Sequence, residues 1–517
     1  MQSSASADVQ KARSAVDDPL WRLAGAVPLV GRSFLVTREA TLVVEQVVDG
    51  VMPPLLDSAE ALQGGELLSN GRIDLALLAT LAEGVDRSSV AATRAQLDAQ
   101  RIPERFVPSP VGRGREDVVM EVDRLADSLT KAKGVLDFAP AMLGAQGPRT
   151  YFLAVQNNTE ARGTGGLVGA YAILRADGGQ LSLERAGTNF DFNTYGPETP
   201  PVDLGAEFSD LYDRFLARRY WPSAVFTPHF PSASAIIAGL WQSQFGGRID
   251  GVIGIDPLAM AEVLSVTGPA QLSGQTIGAE NVVDFIMRDE YALFANDNDA
   301  RKDVLSNLAT VLYERVSAGG YSAPAMLAAL GRAGGTGHLQ LWQSRSAEQA
   351  VLAPLRIAAA LPGKPGAYLQ VVSNNGAANK IDYYIRRKVS YVRTAPGRAL
   401  ITVELTNTLE GEVPPVVTLR EDKPPYPVEP GQTRQFVGIY VGVGQEVGRV
   451  VVDGEEVGPF RGTEQGHGVA IAPVEIRTSR PTVISAEVTD PGGELTYRQQ
   501  PLVVDDTLAL AVPWKLF

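Results

Sequence analysis

Apolar residues recur at three- and four-residue spacing up to about residue 146, and at two-residue spacing from about 388 onward. Between these limits the two patterns alternate. Residues 37–52, 55–62, 73–83, 88–100 and 116–136 carry the helical spacing. Val118, Val119, Val122, Leu125 and Leu129 mark one face of the last segment. Pro53-Pro54, Gly64-Gly65 and the loop 103–114 punctuate them. Residues 1–146 therefore predict a helical stalk or bundle, its apolar stripes serving helix packing.

The pattern changes near Pro148. Residues 150–155 (TYFLAV), 167–174 and 180–185 predict three short strands, the second turning into the third through Ala176-Asp177-Gly178-Gly179. A polar, glycine-rich loop, 156–166 (QNNTEARGTGG), joins the first two. A meander of this kind brings the end of strand one and the end of strand three to one edge, so Arg162 and Asn189-Phe190-Asp191 are expected to be neighbours. Helices are expected at 208–219 and 232–246, and a buried strand at 248–255 (RIDGVIGI). Asp256-Pro257 supplies an acidic N-cap with proline at the first helical position, and Thr267-Gly268-Pro269 a stop. Helices at 279–294 and 302–318 flank an acidic loop, 296–301. The whole predicts a multidomain α/β protein: a helical region (1–146), an α/β core with a mixed sheet flanked by helices (147–387), and an immunoglobulin-sized β-sandwich (388–517). One echo runs through it. Residues 151–158 (YFLAVQNN) and 368–375 (YLQVVSNN) are both apolar strands ending in Asn-Asn, and each is followed by a cation, Arg162 or Lys380. Asn pairs also simply make turns.

Composition narrows the chemistry. With 517 residues, 45% hydrophobic and 20% charged, the chain is globular rather than disordered. A net charge of -13 argues against nucleic acid as a partner. The absence of cysteine excludes disulfides, iron–sulfur clusters, thiolate zinc and cysteine nucleophiles. Three scattered histidines, His229, His338 and His467, argue against a multi-histidine metal site. Neither a G-x-S-x-G elbow nor a complete phosphate loop is present, Gly363-Lys364 lacking its upstream glycine. The polar start has no signal-peptide core, and no run approaches the roughly 18 apolar residues of a membrane span. A soluble chain, or a soluble piece of something longer, is expected.

Among the residues able to carry chemistry, Arg162 comes first. Guanidinium grips phosphate through two parallel bonds, and Gly163, Gly165 and Gly166 let backbone approach a ligand. A structural salt bridge is the competing reading. Asn158, Thr164, Gly165, Gly166 and Lys380 are candidate substrate contacts. Asp297, Asp299 and Asp303 surround Arg301; Lys302 and Leu308 stand where a calcium loop needs Gly and Glu, so an EF-hand is excluded and helix capping competes. Asp191, Asp250 and Asp256 complete the acidic set, with Asp250 able to pair with Arg248 or Arg162. His229 reads as a loop histidine.

Taken in order, residues 156–166, Thr227-Pro228-His229-Phe230-Pro231, 249–257 (IDGVIGIDP), Thr267-Gly268-Pro269, Arg301-Lys302-Asp303 and 378–387 (ANKIDYYIRR) resemble a bacterial family, domain-of-unknown-function family 4012. Its members typically carry an N-terminal transmembrane helix and face outward from the envelope, which implies an ectodomain whose anchor is absent from this chain. The family usually has Pro where Gly163 stands and Asp where His229 stands. At a second remove the order of blocks is similar to the LytR-CpsA-Psr ligases, which move glycans from polyprenyl pyrophosphate onto peptidoglycan. That resemblance implies a phosphotransferase-like site. Arg162 and Arg301 would hold pyrophosphate, Asp191 or Asp299 would hold magnesium, and apolar helices would cover the prenyl chain. The expected partners are a lipid-linked glycan or peptidoglycan, and the membrane through the anchor. A non-catalytic envelope scaffold that binds glycan or a partner is the alternative. A glycosidase would need paired carboxylates about 5–9 Å apart.

Overall fold

A computed structural model describes residues 2–25, 27, 31–193, 195–295 and 297–511. The chain is mixed α/β, with a helical N-terminal region and several sheets. It forms two compact units: residues 1–148 with 177–180 and 322–324, and the remainder.

The first unit is built on the helices Gly31–Gln46, Met52–Gly64, Leu75–Gln100 and Ser109–Met142. Val122 and Leu129 are buried there, with Val118, Val119 and Leu125 partly so, as the stripe predicted. Two boundaries differ from expectation. Pro53-Pro54 does not separate helices; a π-helical turn, Val47–Val51, runs into Met52–Gly64, whose first turn takes the prolines. A missing N–H costs least there, and the Ser88 hydroxyl donates to the Val51 carbonyl at 2.9 Å. Segments 73–83 and 88–100 are one helix, capped by Asp74 through the amides of Ala76 and Leu77. Gly84 inside it serves contact: a Cβ there would lie 1.9 Å from Ser58 Oγ and 2.8 Å from the Pro54 carbonyl. Alanine normally stabilises a helix interior relative to glycine by up to about 1 kcal/mol. Here Gly84→Ala is expected to destabilise by about 1–3 kcal/mol through overpacking, read as a lower melting temperature. A higher one would show that the two helices part freely. Among the described residues no helix is long and apolar enough to cross a membrane.

The second unit starts from a sheet with strands β1 (Arg149–Arg162), β2 (Gly165–Asp177), β3 (Gln180–Thr188), β4 (Gly251–Ile255) and β5 (Leu339–Gln343), ordered β3-β2-β1-β4-β5. β1 and β4 are parallel; β1–β2 and β4–β5 are antiparallel. Alternate residues feed opposite faces. Phe152, Ala154 and Tyr171 join an aromatic core with Phe192, Trp221 and Trp241, and Phe152 stacks on Tyr171 at 5.3 Å between ring centres. Val155, Ala170 and Ala172 meet Met260, Leu264, Phe285 and Leu308 on the other side.

A second sheet contains β6 (Tyr368–Asn375), β9 (Thr433–Val443), β11 (Phe460–Glu464), β12 (His467–Ile476) and β14 (Thr496–Arg498), ordered β11-β12-β9-β6-β14. A third contains β7 (Ile385–Ala395), β8 (Arg398–Asn407), β10 (Val447–Val452), β13 (Thr482–Thr489) and β15 (Thr507–Ala511), ordered β10-β13-β8-β7-β15 beyond a short edge strand. Leu369, Val371 and Ile439 pack against Val389, Ile401 and Ile484 between the second and third sheets. Tyr368, Val372, Tyr440 and Ile471, from the opposite face of the second sheet, join the aromatic core. The second sheet is thus covered on both faces, and every residue of β6 is buried. Its central strands come from both sides of residue 388.

Candidate functional site

The segment expected to be a glycine-rich loop is mostly strand. β1 continues through Arg162 and β2 begins at Gly165, leaving a turn at Gly163-Thr164, and only Leu167 onward shows partial exposure. Polar residues stay in this buried strand because each finds an internal partner. Gln156 Oε1 accepts from the Thr164 hydroxyl at 2.9 Å and the Gly166 amide at 3.1 Å. Asn158 donates to Asp256 at 3.0 Å and to the Pro501 carbonyl at 2.9 Å. Asp256 caps the helix Pro257–Thr267 as its position implied, and also meets His338 Nδ1 at 2.6 Å. The glycines admit backbone rather than ligand: a Cβ on Gly166 would lie 2.3 Å from Asn157, and one on Gly163 would lie 2.2 Å from the Phe226 carbonyl. The Gly163 amide donates to Asn374 at 2.9 Å, a bond that proline at this position would remove.

The two echoed strands meet. Arg162 donates to the Asn375 carbonyl at the end of β6, and Lys380 pairs with Glu160 at the end of β1. Arg162 also donates to the carbonyls of Pro222 and Ala161 and lies 2.5 Å from Glu160, with its guanidinium over the Phe226 ring. Four of its N–H donors are thereby used. Burial pushes the Glu160 carboxyl up, but Lys380 and Arg162 outweigh it and hold the group below its ordinary value. Lys380 and Arg301 also face Glu290, with Arg301 4.0 Å away. Glu290 is wholly buried, and among the described residues neither of its carboxyl oxygens has a hydrogen-bond partner. Burial raises it to about 8, against the pull of the two cations. Asp382 is raised by burial to about 6 while accepting from the Ala161 amide, Asn375 and Gln435.

Arg162, Lys380 and Arg301 are therefore gathered around Glu160 and Glu290, acids that the motif pattern did not single out. Glu160 sits two positions before Arg162, the one sequence signal available for the pair. Asp191 is not among them. It accepts from the Tyr171 hydroxyl at 2.8 Å and lies 3.6 Å from Arg185, sharing no partner with Arg162. The expected neighbourhood fails because β3 has 9 residues against 13 in β2, so the β1–β2 tip carrying Arg162 overshoots the end of β3. Asp299 lies in the helix Asn298–Ala318, its side chain outside the described residues, as is that of Asp303. Among the described residues no group of three or more His, Asp or Glu is placed to hold a metal. Asp250 pairs with Arg248 at 3.6 Å and with Arg149 at 3.8 Å. Asp297 caps its helix through the Ala300 amide. Thr227 hydrogen-bonds Glu464 of β11, and His229 Nδ1 meets Ser232 at 2.9 Å.

No curated protein and no solved structure matches the chain. Over residues 146–291, which end one residue past Glu290, it is similar to the family described as protein of unknown function (DUF4012).

Proposed function

We propose that this chain is a non-catalytic scaffold or binding protein of the cell envelope. In this reading its most distinctive sequence block is an internal latch between the first two sheets. One observation carries the reading: the Arg162 guanidinium is buried, neutralised by Glu160 and bonded to three carbonyls. A phosphate could take the forked grip of this guanidinium only by displacing some of these partners, since four of its five N–H donors are already used. The resemblance to envelope proteins supports the location and an anchor outside this sequence. The two sheets formed after residue 368 would then act as an immunoglobulin-like sandwich presenting a surface for glycan or partner, behind an α/β part of ligase-like descent.

The test is a transfer assay with a polyprenyl-pyrophosphate-linked glycan, peptidoglycan and magnesium, run beside thermal unfolding of the wild type and Arg162→Lys. No transfer, together with a lowered melting temperature in the variant, is expected, because lysine cannot make the forked contacts. Transfer by the wild type that Arg162→Lys abolishes without a change in melting temperature would overturn the reading in favour of a ligase.

A further inference from the structure

The buried arginines of the second unit are matched by acids: Arg149 by Glu348, Arg162 by Glu160, Arg387 by Asp506, and Arg420 by Asp422 and Glu475. Arg498 on β14 departs from this pattern. Its Nη1 donates to the Ala360 carbonyl at 2.5 Å, and among the described residues no carboxylate pairs with it or with its neighbour Arg356. Both arginines line a narrow cleft of about 20 Å³ that opens to solvent. Gly163 of the β1–β2 turn, Thr336, Gly337 and Gln370 also line it, and no acidic residue does. Gln370 and Arg498 are register partners on β6 and β14. The Gln370 oxygen takes the Tyr368 hydroxyl at 2.8 Å, leaving its NH₂ group without a partner among the described residues. The positive field is felt nearby. Burial, and next the Arg498 charge, push the His229 imidazole down to about 4, so it stays neutral and adds no charge at pH 7. Burial and the like charge of Arg356 outweigh Tyr368 and lower Arg498 itself.

Two guanidinium groups facing one cleft without an anion is an unfavourable arrangement for an isolated chain, and an oxyanion corrects it. We propose that this cleft binds the phosphate group of a ligand between Arg356, Arg498 and the Gln370 amide. Arg356 is exposed, so the remainder of the ligand projects into solvent. The inference deepens the binding-protein reading and names the chemistry that the protein recognises.

The experiment is isothermal titration of the full chain with inorganic phosphate, glucose 1-phosphate, glucose and phosphatidylglycerol vesicles. Wild type and Arg356→Gln are compared, with melting temperatures recorded without ligand. The phosphate-bearing probes are expected to bind and glucose not to. Arg356→Gln is expected to melt with the wild type and to bind at least about tenfold more weakly, the loss of one charge-assisted contact. Equal affinity for phosphate and glucose 1-phosphate identifies a free anion as ligand. Tighter binding of glucose 1-phosphate identifies a phosphorylated glycan, and tighter binding of vesicles a lipid headgroup. No binding of any phosphate probe, or binding that Arg356→Gln leaves unchanged, overturns the inference without touching the scaffold reading. Glycan transfer in the assay above would overturn that reading while leaving the cleft's phosphate affinity measurable.

Discussion

Glu160→Gln is expected to cost the second unit about 3–5 kcal/mol, the penalty for removing one partner of a buried ion pair. In thermal unfolding that corresponds to a fall on the order of 5–10 °C. Glu160 is the shared counter-charge of Arg162 and Lys380, so its loss leaves two cations facing each other in the interior. Removing either cation alone leaves Glu160 one partner, so Arg162→Met and Lys380→Met should each cost less. The pH dependence has a definite sign. The folded Glu160 carboxyl is held below its ordinary value, so its stabilisation is present above the unfolded value and is lost as pH falls through the folded one. Chemical denaturation of the three variants at pH 7 measures the order. A Glu160→Gln chain within about 0.5 kcal/mol of the wild type would mean that solvent reaches Arg162, and the latch would fail as an account of the motif.

Glu290→Gln should act in the opposite direction, stabilising the chain at neutral pH. Burial raises the folded carboxyl to about 8, whereas in the unfolded chain it ionises near its ordinary value. Between these values the native state holds the proton and the unfolded state does not, so stability falls as pH rises. The destabilisation reaches about 3 kcal/mol at pH 7, at 1.36 kcal/mol per unit. Glutamine has no proton to lose. The gap between the two chains is therefore expected to widen from pH 5 towards pH 8. Asp382, raised by burial to about 6, and Glu464, raised by burial to about 7, tilt both chains the same way and cancel in the difference. Parallel stability curves would show that Glu290 is ionised in the fold and paired with Arg301.

Much of the architecture is legible in the chain. The helical face of Val122 and Leu129, the Asp256 cap, the strand at 150–155 and that expected at 248–255, which begins only at Gly251, follow from periodicity and capping chemistry, which are local. The repeated Asn-Asn strand ends are visible as an echo, but that the two strands meet is not. What periodicity misreads is the run from Gln156 to Gly166. A polar strand buried between two sheets has the composition of a solvated turn, and distant partners show otherwise, among them Asn374 for Gly163, Asp382 for Ala161 and Gln500 for Arg162. The same limit hid the charged site. Arg162, Lys380 and Arg301 drew attention as cations, but whether a cation serves a ligand or an internal acid depends on Glu160 and Glu290, which pattern alone does not place. Arg356 and Arg498 belong to no motif at all. Their significance lies in lacking acidic neighbours, a property of the assembled unit.

The reach of that latch sets the order in which the molecule can be made. Gln500 closes onto the Arg162 carbonyl across 338 residues, and the Pro501 carbonyl onto Asn158 across 343. During synthesis β1 emerges with its polar groups unmatched, and Gln500, which satisfies one of them, leaves the ribosome 338 residues after Arg162. Contacts of such separation fold slowly, because the loop they close must be ordered first. The nascent chain therefore passes through a long interval in which the first sheet lacks its seal, a state suited to chaperone holding until Gln500 and Pro501 lock it.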